Sequence, residues 1–174
     1  PLAARTTHVP ILMFAGPFAV RILHSRQMAV GIFGGATVLI TGGTGSFGRA
    51  FIRHLLATED VRAIRVYARD EHKHVDIQRQ LPDPRLRHLI GDVRDSVRLS
   101  RAMVGVDVVI HAAAQKVVPL AESNPGEVVK TNIVGTLNII EAALDRGVRR
   151  VTGLSSDKAV SPYNLYGASK LLLE

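Results

Sequence analysis

The chain has 174 residues, 47% of them apolar, enough for one globular domain with a packed core. It contains no cysteine, which excludes disulfides, thiolate metal sites and cysteine nucleophiles and makes a reducing compartment, the cytoplasm, the expected location. The net charge of +7 includes Arg5, Arg21 and Arg26 in a leader without Asp or Glu. Without them it falls to +4, and with 5% aromatic residues there is little surface for stacking bases, so a small anionic ligand is expected rather than nucleic acid.

The leader, residues 1–35, reads differently from the rest. Its apolar run from Val9 to Val20 is interrupted by Pro10, Gly16 and Pro17 and closed by Arg21, and it falls short of the roughly 20 residues a membrane span needs. No membrane partner is expected. A basic targeting segment would have this composition, but the preferred reading places the natural start at Met28 and the leader outside the fold.

From Ala36 onward, short β-branched runs alternate with helical segments. The pattern predicts strands at Thr37–Thr41, Ile64–Ala68, Arg87–Ile90, Asp107–His111 and Arg150–Leu154. Helices are expected at about Ser46–Ala57, Asp70–Gln80, Ser96–Met103, Pro125–Arg146 and Tyr163–Glu174. Five strand–helix units imply an α/β fold with a doubly wound parallel sheet, residues 36–174, with ligands beyond the carboxyl ends of the strands. The sequence ends at Leu171-Leu172-Leu173-Glu174 inside an apolar helical pattern with no stop signal, so the domain is expected to be truncated and a C-terminal substrate domain missing.

After the first of these five strands comes Gly42-Gly43-Thr44-Gly45-Ser46-Phe47-Gly48, opening a helix. Glycines at 42, 45 and 48 allow a tight turn, let backbone approach a pyrophosphate and bring helix against strand, and the helix N-terminus attracts phosphate. This strand–turn–helix setting predicts a dinucleotide site. About twenty residues on, at the end of the second strand, a carboxylate would select NAD and a basic residue NADP. Arg69 follows Ala68 there, and Lys73 comes one helical turn later, so NADP is expected. Asp70 and Glu71 also suit a helix N-terminus.

Asp92 and Val93 follow the third strand, where the aspartate can accept from an adenine amino group. Ala112, Ala113 and Ala114 follow the fourth, where small side chains let a cofactor lie close to the backbone. After the fifth strand, Tyr166 and Lys170 are four apart and share a helix face. His54, His72, His74 and His88 lack metal-ligand spacing; they are read as surface residues, and no metal is expected.

The succession ITGGTGSFG, YARDEHK, GDVRD, IHAAAQKVVP, NPGEVVKTNIVGTLNII and LSSDKAVSPYNLYGASK resembles the UDP-N-acetylglucosamine 4,6-dehydratases that invert carbon 5, in the polysaccharide biosynthesis group of the extended short-chain dehydrogenases/reductases. The resemblance implies a Rossmann fold and a lyase that oxidises carbon 4 of a UDP-sugar, eliminates water across carbons 5 and 6, and returns the hydride to carbon 6. It makes Tyr166 the base for the sugar hydroxyl and gives Lys170 the nicotinamide ribose. Asp157 becomes the acid at carbon 6 and Lys158 the base at carbon 5, with Ser156, Lys116 and Asn132 toward the substrate. A homo-oligomer is expected at full length, and the expected truncation makes the fragment alone inactive, because the substrate domain is absent. The family usually has Thr where Ser156 stands and Leu where Gln115 stands. A nucleotide-sugar epimerase would use Tyr166 and Lys170 without requiring Asp157 and Lys158, and a non-catalytic NADP-binding protein would require none of the four.

Overall fold

The computed structural model describes residues 33–174 together with a strand at 11–14. The strands are β1 (Ile11–Phe14), β2 (Thr37–Thr41), β3 (Ala63–Ala68), β4 (Leu86–Ile90), β5 (Val108–His111) and β6 (Arg150–Leu154). The helices are α1 (Ser46–Thr58), α2 (Glu71–Gln80), α3 (Ser96–Ala102), α4 (Val118–Ser123), α5 (Pro125–Val128), α6 (Gly135–Asp145) and α7 (Leu165–Leu173). All strand pairings are parallel, in the order β1-β6-β5-β2-β3-β4. The doubly wound parallel sheet expected from the sequence is therefore the fold.

Alternation along the strands builds the two faces. Val38 and Ile40 of β2, Ile64 and Val66 of β3, and Val108 and Ile110 of β5 pack with Ile52 and Leu55 of α1 and Ile77 of α2. Leu39, Tyr67 and Val109 point the other way, against Leu99 and Met103 beside α3 and Ile139 and Ala142 of α6. Because the sheet is covered on both sides, every residue of β2 is buried and Val38, Leu39 and Ile40 follow one another as an apolar run between two threonines. Each of these large side chains contributes roughly 1.5–3 kcal/mol by leaving water.

Three departures from the expected pattern have physical causes. The leader, read as outside the fold, supplies β1, whose residues pair in register with Val151–Leu154 at the sheet edge. Phe33 likewise packs edge-on against Phe51 at 6.0 Å. An uncharged apolar run can complete an open edge, and composition alone does not reveal that pairing. The long helix expected over Pro125–Arg146 is divided by a π-helical turn at Val129–Val134, and α4 precedes it behind Pro119. Finally, His74 is not a surface residue. It is 4% exposed, with Nε2 3.1 Å from the Ala68 carbonyl and Nδ1 3.1 Å from Nδ1 of His88, itself a β4 residue.

β2 pairs with β3 on one side and β5 on the other, so the crossovers leave it in opposite directions. The carboxyl ends of β2 and β5 thus border the crevice where a doubly wound sheet binds ligands.

Candidate active site

Gly42 turns the chain out of β2 at φ +64, a conformation that disfavours any side chain. It also lies so close to the β5 end that a Cβ there would stand 2.8 Å from the Ala113 nitrogen. Its own N–H donates to the Tyr67 carbonyl at 2.9 Å, tying the loop to β3. Gly48 lies against Gly43, where a Cβ would meet backbone at 2.4 Å, so α1 sits directly over the loop. Gly45 and Ser46 are exposed at the start of α1, whose first turn has no acidic residue and no side-chain cap. The free N–H groups and the dipole there suit an anion. Thr44 is buried and its carbonyl accepts from Arg49 at 2.9 Å. Phe47 stacks on Phe51 at 5.5 Å, so its side chain serves the core and only its backbone faces the loop.

At the next strand ends, Arg69 is half-exposed with its guanidinium 3.7 Å from the Asp92 carboxylate. Burial pushes the Asp92 pKa up, but hydrogen bonds and charge from Arg94, with the charge of Arg69, outweigh it and hold the carboxyl below its ordinary value. Arg94 also pairs with Glu127 at 2.6 Å. Lys73 lies 3.3 Å from Asp70, which caps α2 by accepting from the Lys73 backbone N–H. Asp70 therefore fills its helix-start role while Arg69 and Lys73 remain as exposed cations. The Tyr67 phenol, pushed up to about 12 chiefly by burial, stays neutral and donates to the Asp92 carbonyl at 2.9 Å. Val93 is buried against Gly135 and contributes packing.

The catalytic candidates converge at the β6 end. Ser156 caps a short 3-10 turn, Asp157–Ala159, accepting from the Lys158 N–H and donating to Asp157 at 2.9 Å. The Lys158 ammonium is 3.6 Å from the Asp157 carboxylate. The hydrogen bond from Ser156, then the Lys158 charge, holds the Asp157 carboxyl below its ordinary value. This turn rests on α7 at Gly167, where a Cβ would lie 2.1 Å from the Lys158 carbonyl oxygen. Gly167 follows Tyr166 directly, so its missing side chain brings the Asp-Lys pair onto the Tyr-Lys helix. Asn164 caps α7 by accepting from Gly167 N–H at 2.8 Å. Lys170 is 3% exposed, donates to the Leu154 carbonyl at 2.7 Å, and is pulled down to about 8 by burial.

Asn132, expected at the substrate, is 1% exposed and its amide is already occupied. Oδ1 accepts from Gln115 N–H at 2.8 Å, while Nδ2 donates to the Gln115 carbonyl at 3.0 Å and to Ser169 Oγ at 2.9 Å. Ser169 in turn donates to the Tyr166 carbonyl at 2.7 Å. Asn132 thus positions the loop after β5 against α7 and does not itself face a substrate. Lys116 is exposed in that loop, and Ala112 to Ala114 line it, half-buried. Gly167, Ser169 and the His111 side chain were not legible as site elements. A histidine closing the apolar run Val108-Val109-Ile110 was the one available signal. Among the described residues no group of three His, Cys, Asp or Glu is arranged to hold a metal, and no helix is long and apolar enough to cross a membrane.

The chain is similar to known proteins. The chain is 51% identical over 140 residues to the UDP-N-acetylglucosamine 4,6-dehydratase (inverting) of Campylobacter jejuni; the match covers 80% of this chain and 42% of that relative. The chain thus spans about two fifths of the relative's length. Among solved structures it is similar to Pen from Bacillus thuringiensis, with 42% identity and a TM-score of 0.78 over 81% of this chain and 43% of that one. It is also similar to the dTDP-glucose 4,6-dehydratase DesIV of Streptomyces venezuelae, solved with NAD bound, with 29% identity and a TM-score of 0.72 over 79% of this chain and 49% of that one. With this geometry in place, and with the model of the polysaccharide biosynthesis protein family matching residues 38–174, the chain belongs to that family.

Proposed function

We propose that the chain carries the cofactor-binding and catalytic half of a cytoplasmic, NADP-dependent nucleotide-sugar 4,6-dehydratase acting on UDP-N-acetylglucosamine, with the substrate pocket completed by a further domain and the whole protein a homo-oligomer. The observation that carries this reading is the seating of the Asp157–Lys158 turn on the Tyr166–Lys170 helix through Gly167. An enzyme that only moved hydride would need one proton-transfer pair, and here a second pair stands beside it.

The residues present fit a nicotinamide dinucleotide. The Gly42 turn and the uncapped α1 N-terminus form a cradle that side chains would fill, and Arg69 and Lys73 offer two exposed cations for the phosphate that distinguishes NADP. When bound, the dinucleotide supplies a reversible hydride acceptor.

Tyr166, as the phenolate that the Lys170 charge stabilises, takes the proton of the carbon 4 hydroxyl and becomes the phenol. A ketone at carbon 4 acidifies the proton at carbon 5. Lys158 and Asp157 rest as ammonium and carboxylate; moving one proton from Lys158 to Asp157 yields the neutral amine and carboxylic acid that elimination requires. A sugar covering the pair favours that transfer, because desolvation disfavours both charges. Lys158 then removes the carbon 5 proton while Asp157 protonates the hydroxyl departing from carbon 6, and the two return to their charged forms.

In a version of the protein extended to the length of its relatives, Lys158→Ala is expected to give the absorbance of reduced nicotinamide on mixing with substrate, without water loss or deuterium exchange at carbon 5. Tyr166→Phe should abolish the absorbance change itself. Dehydration by Lys158→Ala at the wild-type rate would remove Lys158 as the base at carbon 5, and a wild-type protein that epimerises carbon 4 without losing water would refute the reading in favour of an epimerase.

A further inference from the structure

We propose that His111 is a positioning residue of the dinucleotide site, holding the end of β2 and the alanine ledge after β5 in register through a hydrogen-bonded relay of fixed direction. The inference rests on the dinucleotide reading above and adds a residue which that reading does not use.

His111 closes β5, is 2% exposed, and lies between two threonines. Its Nδ1 is 2.7 Å from Thr41 Oγ1 and its Nε2 is 3.1 Å from Thr136 Oγ1. The Thr136 end specifies the tautomer and the Thr41 end accommodates it. Thr41 Oγ1 already accepts from the Ala113 N–H at 3.3 Å, which leaves its hydrogen free to donate to Nδ1. Thr136 donates its hydrogen to the Asn132 carbonyl at 2.6 Å, so its oxygen must accept from His111, and Nε2 carries the proton. The relay therefore runs from Ala113 N–H through Thr41, His111 and Thr136 to Asn132. It joins the Gly42 turn, the Ala112–Ala113 ledge and the π-helical turn. Burial, with the nearby Lys170 charge adding to it, pulls the His111 pKa down to about 3, so the ring stays neutral and the direction of the relay holds through the physiological range. A neutral imidazole with both nitrogens engaged cannot act as an acid or base. Its consequence for the site is geometric: the ledge that stands against Gly42 is fixed through Thr41.

Two substitutions separate positioning from mere core filling. In His111→Asn the amide oxygen takes the place of Nδ1, keeping an acceptor for Thr41 and giving up Thr136. In His111→Gln the amide nitrogen takes the place of Nε2, keeping the donor to Thr136 and leaving Thr41 without an acceptor. Each loses one buried hydrogen bond, so a purely structural histidine predicts similar losses of stability and unchanged cofactor affinity. Titration with NADPH, followed by its fluorescence, is expected to show affinity within about twofold of wild type for Asn and about tenfold weaker for Gln, with Thr41→Val matching Gln. Equal affinities in all variants, or equal losses in Asn and Gln, would overturn the inference. A long-range proton–nitrogen spectrum of the wild-type chain gives a check that no variant's folding can obscure: His111 should be protonated at Nε2 only, from pH 8 to pH 6, and a ring protonated at Nδ1 there would overturn the relay. A wild-type chain that binds neither NADPH nor NADH would instead overturn the dinucleotide reading, and the inference with it.

Discussion

Replacing Lys170 with Met should stabilise the fold while removing a functional group. The ammonium is 3% exposed with one hydrogen bond to the protein, from Nζ to the Leu154 carbonyl, and burial pulls its pKa from 10.5 to about 8. Because the folded value lies below the unfolded one, this group's contribution to stability is fully present above about pH 10.5 and is lost as pH falls through about 8. At about 1.4 kcal/mol per pH unit, the charged lysine opposes folding by roughly 3 kcal/mol at pH 7 and by about 1.4 kcal/mol at pH 9.5. Met keeps the apolar stem and forgoes a hydrogen bond worth about 1 kcal/mol. The variant is therefore expected to be more stable by about 2 kcal/mol at pH 7, with the advantage nearly gone at pH 9.5. Urea denaturation of both proteins at several pH values measures this, since titration of the groups that do not sense the Lys170 charge cancels in the difference. A pH-independent difference, or a variant less stable than wild type at pH 7, would refute the reasoning. The lysine's retention against its own stability is what a functional role predicts.

Gly167→Ala should lift the Asp157–Ala159 turn away from α7, because the new methyl would meet the Lys158 carbonyl at 2.1 Å. A loss of roughly 1–3 kcal/mol is expected in thermal denaturation, with faster amide exchange confined to that turn; an unchanged Tm would show that the turn does not rest on Gly167. Gly42→Ala and Gly105→Ala form a controlled pair, since both have positive φ but only Gly42 abuts backbone, at Ala113. Gly105→Ala should lose about 1 kcal/mol and Gly42→Ala more, because its methyl also meets backbone, whereas only Gly42→Ala should abolish NADPH binding, and equal binding in the two would refute the cradle. Calorimetric titration should show tighter binding of NADP than NAD, with the preference lost in Arg69→Ala; equal affinities in the wild type would remove Arg69 from that role.

Sequence alone fixed the features that depend on local pattern. Alternating β-branched runs and helical segments dictate a parallel sheet, and glycines at 42, 45 and 48 between strand and helix dictate a turn that admits phosphate. Strand ends, once located, mark Arg69, Asp92, the alanine tract and the Ser156–Lys158 segment as residues of one edge. The strand Ile11–Phe14 escaped this reading because its stability comes from an open partner edge, which four apolar residues do not announce. Asn132 was expected at the substrate because the family resemblance implies it there. Only the fold shows its amide consumed by Gln115 and Ser169. His74 and His88 read as surface residues because the sequence distance between them hides their meeting across α2 and β4. The seating of Lys158 on Gly167 and the threonine–histidine relay likewise join residues from separate elements. Periodicity and motif spacing report what a segment does with its neighbours along the chain; which polar atoms are already satisfied depends on what the chain brings from far away, and that the tertiary structure alone decides.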